Sequence, residues 1–136
     1  MPDNAPGASE GLVMGFDFGT RRIGIAVGQK LTGTATAVAT IYARDGTPDW
    51  AEIEQIVDEW EPGLFVVGLP LNMDDTESDM SLRATKFARR LSGRFNIPYV
   101  TMDERLSSFE AAEHEADGDE IDSMAARLIL ETWLNS

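Results

Sequence analysis

The sequence predicts an α/β domain built on one mixed sheet with helices on its faces. Three observations carry this expectation. Three β-like runs follow one another near the start, as in an antiparallel meander. Helical periodicities then alternate with short apolar runs. A chain of 136 residues also suits one domain with one core.

Residues 1–11, "MPDNAPGASEG", have neither a cationic start nor an apolar stretch, so they do not read as a signal peptide. They read as a short disordered tail, leaving 12–136 as a single domain. Residues 12–18 and 22–28 are β-like and are separated by Gly19-Thr20-Arg21, a hairpin-like punctuation. A third extended run covers about 35–43. "DGTP" then breaks the chain. Trp50, Ile53, Ile56, Val57 and Trp60 recur at helical spacing, and Pro62-Gly63 ends that helix. "LFVVG" (64–68) is wholly apolar and fits a buried central strand.

After the loop "LPLNMDDTES", a helix carries Met80, Ala84, Phe87, Ala88, Leu91 and Phe95 on one face. Thr76, Ser78 and Asp79 offer N-capping, and Asn96 is its stop. "IPYVTM" (97–102) is another strand, ending at "DERLSS". A short helix is expected from about Ser107 or Ser108. A last helix carries Ile121, Met124, Ala125, Leu128 and Ile129, with Asp122 at its opening.

Composition narrows the function classes. No apolar run approaches the roughly 20 residues of a membrane helix. There is no cysteine, which excludes disulfides and thiolate metal sites; the cytoplasm is the expected compartment. The net charge is −13, which argues against gripping nucleic acid by overall charge. The charge is lopsided, however. Arg83, Lys86, Arg89, Arg90 and Arg94 lie within twelve residues, and seven acids crowd into 110–122. The local field then matters more than the sum.

The candidate chemistry lies in acids that adjoin apolar runs. Asp17 interrupts "GFDFG" in the most strand-like segment, Glu104 follows the strand "IPYVTM", and Asp122 opens the last helix. Clustered, partly buried carboxylates repel one another, and desolvation adds to the cost. Mg²⁺ or Mn²⁺ removes that problem with oxygen ligands. Two such ions about 4 Å apart activate a water and stabilise the leaving oxygen of a phosphodiester. The plain alternative is that Asp122 is a helix N-cap or first-turn acid and that Glu104 pairs with Arg105 or Arg127 on the surface.

Thr20, Arg21 and Arg22 follow Asp17 in a turn and are candidate phosphate contacts, or simply solvated. Asn72 lies beyond a central strand's end, where it would touch substrate or shape the turn. Arg83, Lys86 and Arg90 belong to a basic helix surface that would track an RNA backbone, or be only a solvated face. His114 has no serine or cysteine nucleophile to pair with.

"DFGTRRIGIAVG", "VVGLPLNMDDTESDMS", "DERLSS" and "IDSMAARLILETWL" resemble the four blocks of the YqgF-type family. Its members are named as pre-16S rRNA nucleases or Holliday-junction resolvases. The resemblance covers about residues 12–134. It implies an RNase H-like fold with a mixed five-stranded sheet. It also implies metal-ligating, catalytic acids at Asp17, Glu104 and Asp122, and makes Arg105 a phosphate or carboxylate partner. The implied activity is a metal-dependent endonuclease trimming the 5′ end of the small-subunit rRNA precursor. A precursor particle is an expected partner, and the chain is expected to be a monomer or weak homodimer. Many relatives have a longer, Gly- and Lys-containing loop before the final aspartate; here "EAAEHEADGDEID" is short and acidic.

Other classes compete. A four-way DNA junction is an alternative substrate, for which fold analogy is a weak warrant. "DFGT" with "IGIAV" also resembles the first phosphate motif of actin-like and sugar kinases, but those enzymes clasp nucleotide between two domains and this chain supplies one. A non-catalytic RNA-binding module is the third class, favoured by the acidic charge and the short loop.

Overall fold

The computed structural model describes residues 11–70, 78–104 and 118–136. The expected N-terminal tail, most of the loop after Pro70 and the short helix near Ser107 lie outside them. In chain order the elements are β1 (Leu12–Asp17), β2 (Arg22–Gln29), β3 (Thr34–Arg44), β4 (Thr47–Pro48), α1 (Trp50–Trp60), β5 (Leu64–Leu69), α2 (Asp79–Phe95), β6 (Tyr99–Asp103) and α3 (Gly118–Leu134).

The strands form one sheet in the order β4-β3-β2-β1-β5-β6. β1, β2, β3 and β4 pair antiparallel in sequence, and β5 joins parallel to β1 and to β6. The expected meander followed by crossovers is therefore the observed topology, with six strands rather than five. The extra strand is β4. Asp45 and Gly46 both take positive φ, at 50° and 84°, and this two-residue turn folds Thr47 back onto Arg44. Locally, "DGTP" reads only as a break.

Sequence chemistry sets the helix ends. Asp49 caps α1 by accepting a hydrogen bond from the Ala51 amide at 3.0 Å. Glu61, in the left-handed region, closes it, and Pro62 cannot extend it. Ser78 caps α2 by accepting from the Ser81 amide, and Asn96 ends it in the left-handed region. α3 begins at Gly118, so Asp122 stands about one turn inside the helix and does not open it. That rules out the helix-cap reading of Asp122.

The sheet separates two cores. On one side Met14, Phe16, Phe18, Ile23, Ile25, Phe65 and Val67 pack against α1 and α2. Phe16 meets Phe65 and Phe87 edge-on, with ring centres 5.6 Å apart in each pair. On the other side Val13, Ala26, Ala35 and Val66 meet Ala126, Ile129, Leu130 and Leu134 of α3. Over β1, β2 and β3 the strand residues on this second face are mostly small, while β6 adds Met102.

One irregularity changes which residues share a face. Between Ile25 and Ala26 the β2–β3 register shifts, leaving Val38 as a bulge. Ala35 before it faces α3, whereas Ile41 after it faces α1 and α2. Unbroken alternation would have put Ala35 and Ile41 on one face. Tyr42 is thereby carried to the α3 side.

Candidate active site

β1 alternates Met14 and Phe16 toward α1 and α2, so Asp17 belongs to the α3 side. Its cross-strand partner is Gly24. A Cβ at Gly24 would collide with the Asp122 carbonyl, so only glycine lets α3 come this close to β2. The close approach brings Asp122 to the end of the sheet where Asp17 stands. Glu104 follows β6, and Gly68 makes room for it. A Cβ at Gly68 would lie 2.7 Å from Glu104 Cγ and 2.8 Å from Ile129 Cδ1 of α3.

The electrostatics record the same meeting. Burial raises the Asp17 carboxyl well above the usual carboxylate range, and the charges of Glu104 and then Asp122 raise it further. Glu104 is pushed up to about 7, first by burial and then by the adjacent Asp103 carboxylate. Glu104 and Asp122 therefore both act on Asp17, from β6 and from α3.

The predicted phosphate contacts divide. Arg22 Nε lies 2.8 Å from Asp122 Oδ2, giving that acid a cationic partner. The Arg21 carbonyl accepts from the Ala43 amide at 2.9 Å, and the Thr20 carbonyl from the Gly46 amide at 2.8 Å, fixing this turn against β3 and its hairpin. Arg83, Lys86 and Arg90 do not join the acids. They line a cavity of about 240 Å³ with Phe18, Asp45 and Thr47, on the α2 side of the sheet. Arg83 Nη1 is 3.1 Å from Asp45 Oδ1 there. Asn72 and Arg105 lie outside the described residues.

Three features escaped the sequence reading. Asp103 adds charge beside Glu104. Arg94, counted in the sequence with the basic cluster, lies over the Trp50 ring at 4.7 Å, a contact its position in the sequence does not announce. Tyr42 is 62% exposed on the side of the acids. The alternation of buried Ile41 with Tyr42 was a local signal for the last, but the face it occupies depends on the bulge.

Donor chemistry here fits a hard divalent cation. The acids present only oxygen, and their crowding raises the two carboxyls that burial already disfavours as charges. Among the described residues no three His, Cys, Asp or Glu side chains converge closely enough to form a ready-made cage. Of the three acids, Asp122 is the one engaged by an arginine, Arg22.

A sequence model of the RuvX family, described as "Holliday junction resolvase", matches residues 11–136. A protein of Pseudomonas fluorescens (strain SBW25) named "Putative pre-16S rRNA nuclease" is 51% identical over 133 residues, covering 91% of this chain and 92% of its own. One of the same name from Azotobacter vinelandii is 53% identical over 131 residues, covering 90% and 92%. Among solved structures, Thermus thermophilus RuvC in complex with a Holliday junction substrate superposes with a TM-score of 0.56 at 13% identity, covering 90% of this chain and 92% of that one. That likeness shows the fold, the RNase H-like architecture. The match across nearly the whole chain and the identity to these relatives place the protein in the RuvX family.

Proposed function

We propose that the protein is a divalent-cation-dependent endonuclease that trims the 5′ end of the small-subunit rRNA precursor. The carrying observation is that the charges of Glu104 and Asp122 both bear on the buried Asp17 at one end of an RNase H-like sheet. The names of relatives about half identical to this chain supply the substrate.

In this reading Asp17, Glu104 and Asp122 hold Mg²⁺ or Mn²⁺, as two ions. Such ions supply Lewis-acid activation of water and neutralise charge on the phosphodiester. The chain's own work is to hold the acids in place. Gly24 lets α3 approach, Gly68 gives Glu104 room, and Arg22 orients Asp122. Thr20, Arg21 and Arg22, with Asn72 and Arg105, contact phosphates near the cut. Arg83, Lys86 and Arg90 track the backbone farther along. Residues 12–136 act as a single domain in the cytoplasm, as a monomer or weak homodimer, on a ribosomal precursor particle. No described helix is long and apolar enough to cross a membrane.

The test is cleavage of precursor rRNA leader by purified protein with Mn²⁺ or Mg²⁺. Asp17→Asn and Glu104→Gln serve as controls. Metal-dependent cutting that both substitutions abolish is expected; cutting that survives either one overturns the assignment. The family description favours a second reading, a four-way DNA junction as substrate. Offered in the same assay, cutting of the junction alone would move the function to recombination.

A further inference from the structure

A cavity of about 410 Å³ is lined by Arg21, Arg22, Tyr42 and Ala43, and its Arg22 reaches Asp122 at 2.8 Å. We propose that it binds an unpaired nucleobase next to the scissile phosphate, stacked on Tyr42, with Arg21 holding that nucleotide's phosphate. The proposal rests on the nuclease reading and deepens it: the strand to be cut enters single-stranded.

Placement is the first argument. Arg22 and Tyr42 are cross-strand partners, and Arg22 also reaches Asp122. Asp17, Gly24 and Thr40 form the adjoining row across β1, β2 and β3. Tyr42 therefore stands two strands over from Asp17, about 10 Å across and about 7 Å along the strands. This is the scale of the step from one nucleotide's phosphate to a neighbouring base. The Val38 bulge carries the ring to this face; in unbroken register it would point to the opposite side.

Chemistry is the second. Among the described residues, Tyr42 is one of three large apolar side chains left exposed. The other two, Leu31 and Leu82, offer no aromatic face. Base–aromatic stacking tolerates any base, because every base has a π-face. A base inside a duplex has both faces covered and cannot use the ring. The cavity falls within the about 300–1,000 Å³ of single small-molecule sites, which admits one nucleotide and not a duplex. Arg21 supplies the charge that a phosphate requires, while Arg22 is paired with Asp122.

The test uses the full chain without divalent cation, so that binding is read apart from cleavage. The probes are a short single-stranded RNA carrying 2-aminopurine, its DNA equivalent, and the RNA duplex. Single strands should bind with quenching of the 2-aminopurine signal. Tyr42→Ala should weaken single-strand binding by about 5- to 150-fold and remove the quenching, with the duplex unaffected. Tyr42→Phe should retain both, which separates stacking from damage to the fold; an unchanged melting temperature for Tyr42→Ala checks the same point. Arg21→Gln should flatten the log–log salt dependence by about 0.7. The pocket assignment is overturned if Tyr42→Ala binds single strands like wild type, if it loses single strands and duplex equally, or if wild type binds no single strand at low salt. Should quenching depend on Tyr42 while neither Mg²⁺ nor Mn²⁺ supports cleavage, the pocket stands and the nuclease reading falls. RNA and DNA strands together tell which nucleic acid it prefers.

Discussion

The two faces of the sheet are built from opposite materials. The face under α1 and α2 carries phenylalanines, isoleucines and methionine at almost every inward position. Among the described residues, the face under α3 buries no aromatic ring of the sheet and mixes valine and Met102 with alanine and glycine, with Gly15, Gly24 and Gly68 each in contact range of α3 or of Glu104. Large side chains bury more apolar area and hold the fold, at about 25 cal/mol per Å². Small ones hold less but let a helix backbone come close. The face that contributes less to stability is the one that brings the acids together, so folding strength and site geometry are divided between the two sides.

Neighbours in β1 offer the strongest test of that division. Phe16→Ala should lose about 3–5 kcal/mol of stability, read by denaturant unfolding, while the remaining folded protein keeps its activity per molecule. Asp17→Asn, one residue on, should do the reverse. Cleavage should fall about 10³-fold or more with stability maintained or raised. If both substitutions damage both properties alike, the faces are not separable.

Gly24→Ala sharpens the contrast by adding one methyl on the acid side. The methyl meets the Asp122 carbonyl, so α3 must lift. About 1–3 kcal/mol of stability and most of the activity should be lost together, by melting and cleavage assay. Wild-type activity in a well-folded Gly24→Ala would show that the close approach is not needed.

A pH experiment isolates the acid side alone. Glu104 has a folded pKa of about 7 against an ordinary 4.5, so the folded state holds a proton that the unfolded chain releases. Stability of the metal-free protein should therefore fall as pH rises from 4.5 to 7, by up to about 3 kcal/mol. Thermal melts across that range should show the decline in wild type and a smaller one in Glu104→Gln. A decline of equal size in Glu104→Gln would assign it elsewhere.

The smallest effect belongs to the basic stripe on the other face. Arg83 is about half exposed, and its pair with Asp45 is worth under about 1 kcal/mol. Arg83→Gln should leave the melting temperature nearly unchanged. Removing Lys86 and Arg90 as well should lower the slope of single-strand binding against salt by about 0.7 per charge. An unchanged slope would make this surface only a solvated face.

Much of this architecture was legible in the chain. Asp17 stood out because an acid broke the apolar run of β1, and the helices showed through Ile53, Val57, Phe87 and Leu91. What stayed hidden depends on pairing. β4 is two residues long, too short for any periodicity. The true start of α3 was masked because Gly118 reads locally as a breaker and the apolar spacing begins only at Ile121. That Arg83, Lys86 and Arg90 lie across the sheet from the acids, and that Tyr42 lies beside them, follow from register and a bulge that local sequence does not announce.

The start of α3 has a consequence for how the site tolerates change in length. Ala126, Ile129 and Leu130 follow Asp122 at spacings of four, seven and eight, so the buried stripe also fixes the azimuth of the carboxylate. Each residue of an α-helix advances it by about 100°. A single deletion between Asp122 and Ala125 would leave the helix docked by its apolar stripe and swing the acid about a quarter-turn away from Asp17. The position of this carboxylate is thus indexed to the packing behind it, and α3 should accept substitutions on its outer side far more readily than any insertion or deletion along its length.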